Sequence, residues 1–185
     1  MKSAIVGWTV LRLRVASIAA VVLVGTSALA AGLLGTRTPA VAGDQSCAAP
    51  DSRIVVDLEK HTLALCDRDH LVAAFAVRLG RGGVGKAREG DGKTPVGTYS
   101  LGEPRPSTRY GTFIPIDFPT AEQKKKGYTG SAVGVHGPPR LVKWMGSLVN
   151  TFDSSDGCVG VARDAEIQTI AEWVRAASVR TIELR

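Results

Sequence analysis

Cys158 and His136 are the two side chains in this sequence whose types and spacing could together attack an acyl carbon. A thiol of ordinary pKa, about 8.5, is only slightly ionised at neutral pH, so a nearby imidazole must take its proton or stabilise the thiolate. The cysteine lies in the run Ser155-Asp156-Gly157-Cys158-Val159-Gly160, and His136-Gly137 stands a short way upstream. Gly157 lets the backbone turn sharply and is expected to leave an N–H free to face a carbonyl oxygen, as an oxyanion hole requires. Ser155 and Asp156 are expected to complete that oxyanion and substrate-binding turn. The other two histidines, His61 and His70, fall at predicted turns and read as surface residues. Three dispersed histidines and one free cysteine offer no zinc spacing, so neither a metal nor a cofactor is expected.

The elements around this pair read as mainly β. Strand-like runs cover 53–58 and 62–66, split by Glu59-Lys60-His61 at hairpin spacing, and a third follows at 71–79. Residues 80–92 carry six glycines and several charges and are expected to form a mobile surface loop. The loop is no phosphate cradle: Gly92-Lys93-Thr94 is followed by Pro95, which bars a helix interior. Thr94-Pro95-Val96-Gly97 reads as a turn into a strand at 96–101. Residues 103–128 look irregular apart from an extended run at 112–118, and a long irregular segment in a compact domain often acts as an active-site lid. A strand at 132–136 ends on His136, and Pro138-Pro139 breaks it there, facing a cleft. Residues 140–153 show no clean period. Phe152 is expected in the core, while Trp144 suits either core or cleft wall. Asp164 is expected to cap a helix to about residue 177, with Ile167, Ile170, Ala171 and Val174 on one face, and 179–184 closes the chain as a strand.

The chain has 185 residues, enough for a leader and one domain with a real core. The first 14 residues hold three positive charges, and 15–34 run without a charged side chain. Ala40-Val41-Ala42 then offers the small residues of a signal-peptidase site. Residues 1–42 are therefore expected to be a signal peptide or, uncleaved, a membrane anchor through 15–34, with 43–52 a linker and 53–185 the functional domain. Either way the domain is exported, to the periplasm or the cell wall. Asp44-Gln45-Ser46 before Cys47 is too polar for a lipidation site.

The net charge is +6, but the leader carries Lys2, Arg12, Arg14 and Arg37 with no acid. Setting those four aside from 23 basic residues leaves 19 against 17 acidic ones, a net of +2, so a nucleic-acid partner is not expected. The cluster Lys124-Lys125-Lys126 reads as a solvated loop. Export favours disulfides, and of three cysteines Cys47 and Cys66 lie close in sequence at the start of the domain. These two are expected to pair, leaving Cys158 free.

In order and in kind, these features resemble the L,D-transpeptidase catalytic domain, the YkuD-like family of bacterial cell-wall enzymes. The likeness runs over residues 53–185 and rests on Ile54-Val55-Val56-Asp57-Leu58, Thr94-Pro95-Val96-Gly97, Val135-His136-Gly137 and Ser155-Asp156-Gly157-Cys158-Val159. It implies a β-sandwich or barrel of short mixed strands with one C-terminal amphipathic helix packed on the sheet. It also implies that Cys158 is the nucleophile, His136 its base and Gly137 the position whose oxygen orients the imidazole. The partner so implied is a peptidoglycan stem peptide, with an amine on a second stem or a wall-anchored protein as acceptor. Two departures stand out: Asp156 where the family usually has a second histidine, and Gly160 where a polar or basic residue often follows. The interval from His136 to Ser155 is also slightly longer than usual. A carboxylate beside the sulfur raises a thiol's pKa unless it is hydrogen-bonded away or the imidazole is cationic. Two rival readings stay open: a wall hydrolase that uses water as acceptor, and a non-catalytic wall-binding module in which Cys158 is a buried structural thiol.

Overall fold

The computed structural model describes residues 47–185. The expected leader, its apolar stretch at 15–34 and the start of the linker at 43–46 lie outside the described residues.

The first two strands, β1 (Arg53–Asp57) and β2 (Thr62–Asp67), form an antiparallel hairpin in the register Asp57↔Thr62 to Arg53↔Cys66. His61 adopts a left-handed conformation in its turn, and the Asp57 carboxylate accepts the Lys60 N–H. β3 (His70–Arg78) continues antiparallel to β2. The chain then lays down β4 (Gly97–Ser100), β5 (Arg105–Ser107), β6 (Gly111–Pro115), the short helix α1 (Ala121–Lys125) and β7 (Gly134–His136). After the 3-10 segment Lys143–Thr151 come β8 (Val159–Val161), α2 (Asp164–Ala176) and β9 (Thr181–Leu184). The strands make one mixed sheet in the order β4-β9-β1-β2-β3-β8-β7-β6-β5, in which β1–β9 and β7–β8 are the parallel pairs. A bridge between Leu101 and Ile116, with Gly102 N–H on Pro115 O at 2.8 Å, ties the end of β4 to the end of β6. The sheet therefore curls back on itself around its core, the mainly β sandwich-or-barrel class expected from sequence.

The amphipathic helix α2 fills that curl. Ile167, Ile170, Ala171 and Val174 are all buried, packed with Val77, Val135, Val159 and Val161 from the strands beneath. Each of these isoleucines and valines contributes about 1.5–3 kcal/mol by leaving water. The outer face of β1–β2 is covered too, because Val55, Ala64, Cys66 and Cys47 form a second cluster. Cys47 and Cys66 are joined as a disulfide, which pins the N-terminal arm over that face. Burial on both faces explains why β1 reads as an unbroken apolar run rather than an alternating one.

Several expectations need correction. Residues 103–128 are not one irregular stretch: they hold β5, β6 and α1, the last started by a capping box between Thr120 and Gln123. Lys124 and Lys125 belong to α1. Asp164 is the first helical residue rather than the cap, which is Arg163. The Glu166 carboxylate reaches back to the Ala162 and Arg163 N–H groups. Phe152 is not core but 76% exposed, and Trp144 is likewise exposed. Their segment breaks at Gly146 (φ 55) and offers no continuous apolar face to the sheet. The glycine-rich loop 80–92 is not a free surface loop: the Arg81 N–H and the Lys86 ammonium bond it to the Ser155 and Asp156 carbonyls.

Candidate active site

Cys158 sits one residue before β8, and His136 ends β7. The two strands run parallel with Val135 opposite Val159 and His136 opposite Gly160. Side chains two apart share a face of a sheet, so Cys158 and His136 project from the same face, on the opposite side from the Val135–Val159 pair that faces the core.

His136 is buried, and its Nδ1 lies 2.6 Å from the Gly137 carbonyl oxygen. A carbonyl only accepts, so Nδ1 carries the proton and Nε2 is left with a bare lone pair. That Nε2 is buried and has no partner among the described residues. Tyr110 stacks on the ring with centroids 3.7 Å apart, and the Arg109 guanidinium lies over Tyr110 in turn. Burial pulls the imidazole down to about 4. The Gly137 carbonyl opposes that shift, and the charges of Arg78 and Arg109 add to it. His136 is therefore neutral at physiological pH and able to accept a proton.

Cys158 is the free cysteine, half-buried, with Sγ 3.5 Å from the Ala132 carbonyl oxygen. Burial pushes its thiol above the ordinary value. The Gly134 N–H and the Lys86 charge pull it down, Asp156 pushes it up, and Arg109 pulls it down. The resting pair is thus a neutral thiol and a neutral imidazole, not hydrogen-bonded to each other. Apo sites often tighten such contacts only when substrate arrives.

The turn before the cysteine is held from within. Ser155 Oγ accepts the Gly157 N–H at 3.1 Å and lies 2.7 Å from Cys158 O and 3.1 Å from Leu79 O. The Gly157 N–H expected to be free for an oxyanion is therefore engaged by Ser155 Oγ. Gly157 has φ +119, and a Cβ there would lie 2.3 Å from Lys93 O, so glycine is required on both counts. Asp156 turns outward, its carboxylate 2.8 Å from Arg81 Nη2. Behind the turn, the loop 80–92 is anchored by Lys86, whose buried ammonium donates to Asp91, to Arg88 O and to the Asp156 carbonyl. Asp91 also accepts N–H bonds from Ala87, Arg88 and Lys93, holding its carboxyl well below the usual range.

Sγ opens on a cavity of about 340 Å³ lined by Arg105, Ser107, Arg109, Tyr110 and Phe113 on one side and by residues 131–133, Asp156 and Cys158 on the other. Its charge is basic, since Arg81 neutralises Asp156. Tyr110, the two arginines and Lys86 had no motif to announce them; the Thr120-to-Gln123 capping box was the readable sign that the region is structured. Among the described residues no group of three His, Cys, Asp or Glu side chains is placed to hold a metal ion.

The curled mixed sheet thus sets a half-buried thiol and a neutral imidazole on one face beside a basic cleft. The YkuD family model, the L,D-transpeptidase catalytic domain, matches residues 51–182, and the chain belongs to that family. It is 32% identical over 118 residues to the "Putative L,D-transpeptidase YafK" of Escherichia coli (strain K12), covering 58% of this chain and 48% of that protein. Among solved structures it is similar to the helical cell shape determining protein Pgp2 of Campylobacter jejuni (TM-score 0.60, 23% identity, 77% of this chain and 52% of that one). Bd1075 of Bdellovibrio bacteriovorus is similar as well (TM-score 0.54, 24% identity, 77% and 50%). The chain thus spans about half the length of these relatives.

Proposed function

We propose that this protein is an exported, cysteine-dependent L,D-transpeptidase acting on peptidoglycan stem peptides. The observation that carries the reading is the shared face of Cys158 and a neutral His136, with the sulfur open to a cleft and the imidazole lone pair unclaimed. Sγ attacks the carbonyl carbon of the third residue of a tetrapeptide stem while Nε2 of His136 takes the thiol proton. The charge that develops on the carbonyl oxygen meets the Cys158 N–H. Collapse breaks the C–N bond, His136 returns its proton to the departing D-alanine amine, and a thioester is left on Cys158. An amine from a second stem, or from a wall-anchored protein, then attacks the thioester. Its proton passes through His136 to the released sulfur, and a new amide results. Arg105 and Arg109 suit a substrate that carries free carboxylates.

The acceptor is the finer part of the proposal, and product analysis tests it. Incubation of the purified domain with disaccharide tetrapeptide is expected to yield cross-linked dimers with free D-alanine. Shortened monomers alone would make water the acceptor and the enzyme a carboxypeptidase. No release of D-alanine would leave a wall-binding module. The N-terminal 42 residues are proposed as the export signal, which N-terminal sequencing of the protein from the cell envelope would test by a start at Gly43.

A further inference from the structure

Arg78 is the largest of the fully buried side chains, 1% exposed, and the pair just described gives it no role. Its one side-chain hydrogen bond is long, Nη1 to Val161 O at 3.4 Å, and Nη2 has no partner among the described residues. Among the described residues no carboxylate is ion-paired with it: Asp156 pairs with Arg81, Asp91 with Lys86 and Asp164 with Arg140. A buried charge without a counter-ion costs stability, and hydrocarbon of similar volume would pack at least as well. Packing alone therefore does not account for a guanidinium at this place.

The strand register says what it sits beside. Arg78 is directly opposite Gly160 on β3–β8, and His136 is directly opposite Gly160 on β7–β8. The three positions form one row across the sheet, on the face from which Cys158 projects two residues before Gly160. A Cβ on Gly160 would lie 2.7 Å from Arg78 Cζ, so the guanidinium occupies the room that glycine leaves in the middle of that row. Arg78 interacts electrostatically with Tyr110 and Cys158, and His136 feels its charge.

We propose that Arg78 is a positioning residue for the reactive pair: laid over Gly160 from the neighbouring strand, it holds a fixed positive charge in the row between His136 and the turn that carries Cys158. The proposal rests on the reading of Cys158 as nucleophile and His136 as base. The other charges around the sulfur are Lys86 from the loop 80–92, Asp156 from its own turn and Arg109 beside Tyr110; those around the imidazole are Arg78 and Arg109. Arg78 differs from them in being buried without a counter-ion.

The test is the pH dependence of Cys158 alkylation by iodoacetamide, which needs no substrate, together with an NMR titration of the His136 ring. The full domain is compared with Arg78→Met and Arg78→Lys. Lys86, Asp156 and Arg109 also act on the sulfur, so loss of the Arg78 charge alone is expected to slow alkylation of Arg78→Met about two- to threefold at pH 7, with its profile moved to higher pH. Its His136 titration should also move up, Arg78→Lys should keep most of both, and Arg78→Met should melt no lower than the parent. Unchanged profiles in a folded Arg78→Met would overturn the role given to Arg78 and leave the nucleophile reading intact. So would an Arg78→Met that fails to fold, since the guanidinium would then be a structural strut. A parent sulfur that resists alkylation at every pH would instead remove the nucleophile reading, and this proposal with it.

Discussion

Strands β4, β9, β1 and β2 form one end of the sheet and β3, β8, β7, β6 and β5 the other, and the two ends bury different things. In the first, Ile54, Val55, Val56, Leu63, Ala64 and Leu65 close both faces of the hairpin with hydrocarbon, and a disulfide covers the outer side. In the second, one face is hydrocarbon under α2, while the other holds Arg78 and His136, each with an unpartnered buried nitrogen. Buried polar atoms without partners lower stability. The frame has one such atom on its strands among the described residues, Nε of Arg53, whose guanidinium is ion-paired with Glu183, whereas at the site end they belong to the two side chains beside Cys158. The frame therefore supplies the stability while the site end holds groups in states water would not favour. Substitutions at the two ends should therefore fail in different assays.

The sharpest break of that comparison is His136→Gln. It should lower turnover of a tetrapeptide substrate by about 10²–10⁴-fold, as loss of a general base does, without lowering the melting temperature at pH 7. At the frame end, Leu63→Ala should cost about 2–5 kcal/mol in denaturant unfolding and leave saturated turnover nearly intact where the protein is folded. A Leu63→Ala protein as inactive as His136→Gln would mean that the two ends are not separable.

Acidification sharpens the contrast. His136 titrates at about 4 when folded against about 6.5 when unfolded, so between these values the unfolded chain binds the extra proton. Its contribution is present above pH 6.5 and is lost as pH falls toward 4, about 3 kcal/mol in all. His136→Gln should flatten that stretch of the stability curve. The paired carboxyl of Asp91, held low, loses its contribution only on further acidification below the ordinary carboxylate pKa. Cutting the Cys47–Cys66 link by Cys47→Ala with Cys66→Ala should cost about 3 kcal/mol and leave the alkylation rate of Cys158 unchanged. A change in that rate would show that the arm reaches the site.

The frame was legible in the residues because its signals are local. The hairpin spacing at 53–66, the three-and-four spacing of Ile167, Ile170, Ala171 and Val174, and the pairing of Cys47 with Cys66 each declare themselves within a short window. Three-residue strands such as β5 do not, since Pro106 at its centre and the backbone register to β6 leave no period to read. Phe152 misled by type: an aromatic side chain suggests core, but the broken 3-10 segment before it turns the ring to solvent. The run around Cys158 and the upstream His136 could be read directly. Arg78, Tyr110 and Lys86 could not, because each meets the turn or the ring only through strand register or a loop folded back from far away in the chain.

The most direct measurement of the central claim is the intact mass of the mature domain mixed with a tetrapeptide stem. A disaccharide tetrapeptide should leave an adduct equal to its own mass less one D-alanine, mapped to Cys158 by peptide digestion and absent from Cys158→Ala, which should also release no D-alanine. An adduct on any other residue, or D-alanine released by the Cys158→Ala protein, would contradict the account.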